Sequence, residues 1–157
     1  MAYDDLYRLS AHAVITDSEG RVLLLKSAYG DLTWHLPGGA IDPGETIQEC
    51  VERECGEELG HKINVLCLTG VYYHKVHNSH VFIFRAELCS GPIVLSPEHS
   101  HFRYFALEEL GAVQRKRVED CLQFKGEVNR ILPSRGDVTE LSGRQILCLN
   151  RRLTRHQ

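Results

Sequence analysis

The chain has 157 residues, of which 43% are hydrophobic, 25% charged and 8% aromatic, the composition of one ordinary globular domain and not of a fibrous or linker-dominated chain. Its uninterrupted apolar runs stop at four residues, as at Val22–Leu25, too short for a helix that crosses a bilayer. The net charge of −3 conceals an asymmetry, because residues 1–113 balance at −8 and residues 114–157 at +5. A body so acidic is a poor partner for nucleic acid unless metal ions neutralise part of it. The basic tail is open to two readings: contact with nucleic acid or an acidic partner, or docking on the acidic body of its own chain.

In chain order, the opening MAYDDLYRLS is acidic and lacks the apolar core of a secretory leader. Six cysteines (Cys50, Cys55, Cys67, Cys89, Cys121, Cys148) form no CxxC pair and read as free thiols of a reducing cytoplasm. AHAVITD and RVLLLKS, separated by Ser18, Glu19 and Gly20, predict a β-hairpin. A Gly- and Pro-containing loop, Ala28 to Gly44, holds WHLPGGAIDPGE. Thr46 followed by Glu49 predicts a capping box for a helix over 46–59, with Gly60 as the residue that ends it. INVLCLTGVYYHK, bent at Gly70, HVFIFRAEL and FRYFAL read as strands. A short helix is expected over 108–113, and RVEDCLQFKGEVNRIL has helical spacing. Strands and helices in this order indicate a mixed α/β domain on a partly antiparallel sheet, with residues 114–157 as a basic C-terminal helical extension within a single domain over 1–157. The extension's apolar residues (Val118, Cys121, Leu122, Val128, Ile131, Leu132) must be buried on the chain's own domain or in a homodimer.

The helix carries the informative residues. Glu54, Glu57 and Glu58 stand at i, i+3 and i+4, so their carboxylates leave one face. That face borders the apolar stripe of Ile47, Val51, Cys55 and Leu59, whereas a merely solvated run would fall on the far side with Glu49, Glu52 and Arg53. Carboxylates crowded at a buried edge repel one another unless a cation sits between them. Mg²⁺ takes oxygen ligands and bridges carboxylates to substrate phosphates, and a carbonyl of the Gly38–Gly39 turn can complete its shell. Spacing alone leaves both a metal site and a surface acidic helix open.

From Gly39 to His61, the segment Gly39-x5-Glu45-x7-Arg53-Glu54-Cys55-x-Glu57-Glu58-x-Gly60-His61 resembles the Nudix box Gx5Ex7REUxEExGU, where U is a bulky aliphatic residue. All seven Gly, Glu and Arg positions are in register, while Cys55 and His61 depart at the two aliphatic positions. The resemblance, over roughly 8–113, implies a Nudix-type α/β/α sandwich with a mixed sheet. It further implies an Mg²⁺-dependent pyrophosphohydrolase, with Mn²⁺ as a substitute, that cleaves a nucleoside diphosphate linked to another moiety. By the same resemblance Glu54, Glu57, Glu58 and the Gly39 carbonyl are metal ligands, and Glu45 and Arg53 brace the loop against the helix. The general base is Glu54 or, second, Glu98. An enzyme acting on RNA 5′ ends and a non-catalytic ligand-binding module are the alternative readings.

Other signals are weaker. Lys26 is placed to meet a phosphate or simply ends a solvated strand, and Trp34 is either a platform for a base or core. His99 and His101 are expected on one strand face beside Glu98, where they either line the cleft or face solvent. His74, His77 and His80, three apart, cannot converge on one ion from a strand.

Overall fold

The computed structural model describes residues 6–126, 129–133 and 138–140. Its elements are β1 (Arg8–Val14), β2 (Val22–Ser27), β3 (Trp34–His35), β4 (Gly38–Ala40), α1 (Ile47–Leu59), β5 (Ile63–His74), β6 (Ser79–Leu88), β7 (His99–Phe105), α2 (Ala112–Leu122), β8 (Asn129–Pro133) and β9 (Val138–Glu140). A six-stranded mixed sheet runs β4-β1-β6-β5-β8-β9 and a three-stranded antiparallel sheet runs β3-β2-β7. Among the described residues no helix is long and apolar enough to cross a membrane.

Alternating side chains divide the interior in two. Ala11, Ala13, Leu23 and Leu25 pack with Val51, Cys55 and Leu59 of α1. Val14, Val22 and Leu24 face the other way, onto Val118 and Cys121 of α2. Strand β2 is therefore buried on both faces, which explains its unbroken Val-Leu-Leu-Leu run. The result is the expected sandwich with one helix on each side.

Three expectations need correction. The segments read as a hairpin do share a turn, in which Asp17 Oδ1 accepts the Glu19 and Arg21 amides, but only Thr16 and Val22 pair across it. Strand β1 then joins β4 and β6 in one sheet, and β2 joins β3 and β7 in the other. The helix expected at 108–113 is a 3₁₀ turn over Leu107–Glu109, and α2 begins at Ala112. The helical spacing of 117–132 does not persist either. α2 ends at Leu122, Gly126 turns the chain with φ +91°, and Asn129–Pro133 forms β8, parallel to β5. The C-terminal extension is thus helical to Leu122 and carries strands at Asn129–Pro133 and Val138–Glu140, while residues 127–128, 134–137 and 141–157, including Val128 and Cys148, lie outside the described residues. The tail's first turns are core: Val118 and Cys121 are buried while Leu122 is exposed.

The tightest point lies between β4 and β1. Gly38 faces His12 in the ladder with φ +128°, and a Cβ there would stand 2.2 Å from the Ala11 carbonyl oxygen and 2.6 Å from the His12 Cα. Neither backbone atom can retreat without breaking the ladder. Gly38→Ala should therefore cost about 3 kcal/mol or more, summing overpacking and a disfavoured φ. Gly111→Ala, where nothing lies within 4 Å of the added Cβ, should stay within about 0.5 kcal/mol of the parent. Denaturant unfolding of the two variants checks this, and equal stability would mean that the β1–β4 approach is looser than described.

Candidate active site

The site is assembled on α1. Thr46 adopts an extended conformation (φ −79°, ψ 163°), its hydroxyl accepts the Glu49 amide and the Glu49 carboxylate accepts the Thr46 amide. At the other end Gly60 turns left-handed at φ 65°. The loop after β6 closes the last turn, its Val94 and Ser96 amides donating to the Leu59 and Glu58 carbonyls. Both ends are thereby fixed, and with them the direction of every side chain between.

Arg53 ties the preceding loop to the helix. Its guanidinium donates to both Glu45 oxygens, at 2.7 and 3.0 Å, and to the Ala40 carbonyl at 3.2 Å. That paired bond pulls the Glu45 carboxyl down to about 2. The same guanidinium reaches Glu54 at 3.1 Å and Glu57 at 3.4 Å, so one cation serves several carboxylates.

Burial of the three helix carboxylates is graded. Glu57 is exposed, Glu54 is half-buried and Glu58 is only 5% exposed. Glu58 Oε2 accepts the Gly38 amide at 2.8 Å. Burial, helped by the charges of Glu54, Glu98 and Glu57 and opposed by the Gly38 N–H, raises its carboxyl to about 8. Burial also raises Glu54, against the pull of Arg53. The Glu54 carboxylate lies on Gly39, where a Cβ would stand 2.4 Å from Glu54 Oε1. Glycine at 39 thus leaves room for a carboxylate beside its own carbonyl.

Glu54, Glu57, Glu58 and Glu98 line one cleft of about 390 Å³ with Tyr29, Ser96 and Pro97. Among the described residues no Lys or Arg side chain lines it. This wall of oxygen donors short of positive charge fits a hard divalent cation in the donor chemistry, the glycine cradle and the reluctance of Glu58 to ionise.

Lys26 and Trp34 are not brought to this cleft. They pair with each other across β2 and β3, on the face that Leu24 presents to the α2 core. Trp34 stands edge-on to Phe105 at 4.9 Å, and its carbonyl accepts from Gln114.

His35 was not foreseen as a site residue, and His99 reaches the site without His101, with which it was expected to share a strand face. Lys26 pairs with His101 but Ser27 pairs with His99, so a bulge interrupts β7. It turns His99 inward, 8% exposed, while His101 stays outside. His99 Nε2 lies 3.4 Å from Glu58 Oε1 and 3.3 Å from His35 Nε2. Burial lowers His99 below the usual imidazole range. No sequence signal marks the bulge, but alternation along WHL does set His35 on the face opposite Trp34.

The family model described as the NUDIX domain matches residues 6–122, taking in α2 as well as the box. A MutT-like protein from Streptomyces ambofaciens is 31% identical over 105 residues, 67% of this chain and 68% of that protein. An RNA pyrophosphohydrolase from Serratia proteamaculans is 42% identical over 60 residues, 38% of this chain and only 34% of that protein. The crystal structure of an ADP-ribose pyrophosphatase from Streptococcus suis superposes with a TM-score of 0.67 at 18% identity, over 80% of this chain and 98% of that one, a likeness of fold alone. The match of the family model across most of the chain, with the box intact on α1, places this protein in the Nudix family of hydrolases that act on phosphoric anhydride bonds.

Proposed function

We propose that the chain is a Mg²⁺-dependent pyrophosphohydrolase, able to use Mn²⁺, that cleaves a nucleoside diphosphate linked to another moiety in a small nucleotide. The single observation that carries this reading is the cleft whose wall is Glu54, Glu57, Glu58 and Glu98, with no lysine or arginine among the described residues that line it. A pyrophosphate cannot approach such a surface unless divalent charge lies between. Glu54, Glu57 and Glu58, with the Gly39 carbonyl, would hold that charge. When bound, a divalent ion neutralises the substrate oxygens and acidifies a coordinated water.

The chain's own residues supply the rest. Glu54, set on Gly39 and paired with Arg53 at 3.1 Å, is the first candidate to accept the water proton. Glu98, across the cleft, is the second. Glu45 and Arg53 keep the loop seated on the helix. Lys26 and Trp34 remain proposed substrate contacts only for parts of a substrate that reach beyond the cleft.

A small nucleotide is favoured over RNA. The body is acidic, and two of the tail's cations face carboxylates of the same helix, Arg115 on Glu119 at 2.9 Å and Lys116 on Asp120 at 2.7 Å.

Hydrolysis should stop with EDTA and return with Mg²⁺ or Mn²⁺ when nucleoside triphosphates, ADP-ribose, nucleotide sugars and dinucleoside polyphosphates are screened. Glu57→Gln and Glu54→Gln should each lower kcat about 10²–10³-fold, the loss of roughly 3–4 kcal/mol of transition-state stabilisation. Glu52→Gln, at an exposed residue bonded to Gln48 across one turn, should change it little. Equal losses at Glu52 and Glu57, or turnover without metal, would overturn the assignment.

Metal binding should also depend on pH. Below about 8 the metal-free Glu58 carboxyl is protonated, so an ion that uses it must displace a proton. Mg²⁺ affinity should climb by up to about tenfold per pH unit between about pH 6 and 8 and then level off. Calorimetric titration reads this directly, and an affinity flat across that range would contradict the place given to Glu58.

A further inference from the structure

Around Glu58, which lines the cleft, side chains from three separate elements meet. His35 comes from β3, His99 from β7 and Glu58 from the last turn of α1, and one donor atom of each lies within 4.8 Å of the others. His99 Nε2 is 3.3 Å from His35 Nε2 and 3.4 Å from Glu58 Oε1. The outer nitrogens are engaged: His35 Nδ1 lies 3.2 Å from the Leu36 carbonyl, and His99 Nδ1 lies 3.3 Å from the Ser96 hydroxyl. A carbonyl only accepts, so His35 carries a proton on Nδ1 and a neutral ring turns a lone pair at Nε2 toward His99. Glu58 is steadied likewise by the Gly38 amide on its other oxygen.

We infer that His35, His99 and Glu58 form a site for a tetrahedral divalent transition ion of the zinc class, distinct in ligand chemistry from the all-oxygen group of Glu54 and Glu57. Bonds of about 2.0–2.1 Å in a tetrahedron set donor atoms about 3.3–3.4 Å apart, whereas octahedral coordination at the same bond length sets neighbours about 2.9 Å apart. The two His99 edges, 3.3 and 3.4 Å, fit the tetrahedron. Two imidazoles and one carboxylate suit zinc and its neighbours and not magnesium. Each ligand already has the outer hydrogen bond that orients metal-binding side chains. His99 and Glu58 are almost fully buried, yet Glu58 also lines the cleft, which gives an ion a way in. The ion would pin β3 and β7 of the small sheet to the end of α1, and it would draw on a carboxylate that the oxygen site also uses.

The inference does not depend on the hydrolytic reading, and its test reads no activity. The full chain, stripped of metal, is titrated with Co²⁺ at neutral pH in millimolar Mg²⁺. One equivalent should give the visible absorption of four-coordinate Co²⁺, and Zn²⁺ should displace it. His35→Gln and His99→Gln should each weaken Co²⁺ binding at least tenfold and abolish the band, while Glu57→Gln keeps it. X-ray absorption on the unaltered Zn²⁺-loaded chain should count two imidazoles, whatever the folding of the variants. A wild-type chain with no band in Mg²⁺, a band that survives both histidine changes, or an oxygen-only ligand shell would overturn the inference and leave the three side chains as a hydrogen-bonded group.

Discussion

Like charges held close at a buried edge set the terms for this molecule. α1 brings Glu54, Glu57 and Glu58 to one face, the chain after β6 adds Glu98, and among the described residues no compensating Lys or Arg lines the cleft between them. Arg53 stands behind the group, already shared by Glu45, Glu54 and Glu57. In water such repulsion amounts to a few tenths of a kcal/mol per pair, but it grows as the groups lose solvent. Burial, added to by the neighbouring charges, raises the Glu58 carboxyl to about 8. An arrangement so unfavourable alone becomes favourable when a multivalent cation is supplied, and the same deficit attracts that cation.

The fold exists to hold that geometry still. Strand β2, buried on both faces, anchors the small sheet between the two cores, and β1 fixes β4 so that Gly38 and Gly39 pass directly over α1. Gly38 lends its amide to Glu58, Gly39 leaves space for Glu54, and the Arg53–Glu45 pair prevents the intervening loop from lifting. The helix α1 carries three of the acidic groups, and the loop after β6 closes the cleft and adds Glu98.

Much of this was legible in the residues because it is local. Helix phase, the Thr46–Glu49 cap, the Gly60 terminus and the place of the three carboxylates beside the apolar stripe all depend on contacts within a few positions. What stayed hidden depends on pairing at a distance. The turn at Asp17 looks like a hairpin, yet its two strands join different sheets, since partners far along the chain decide pairing. His99 was expected beside His101 until a bulge in β7 set it against Glu58. Ile131 and Leu132 have helical spacing with Val128, but β5 offers an open edge that a strand can fill. His35 passed unnoticed because its partners are Glu58 and His99, 23 and 64 residues away.

The central claim is that the carboxylate edge of α1 holds the divalent ion. Paramagnetic broadening by Mn²⁺ in the amide NMR spectrum of the labelled chain tests it most directly, because the effect falls steeply with distance from the ion. At substoichiometric Mn²⁺ the amides of Gly38 to Ala40 and of Glu54 to Glu58 should broaden first, and excess Mg²⁺ should restore them. The turn at Asp17 and Glu19 and the acidic pair Glu108–Glu109 should be spared. Broadening that spreads evenly over all exposed acidic groups, or that leaves the end of α1 untouched, would contradict the account.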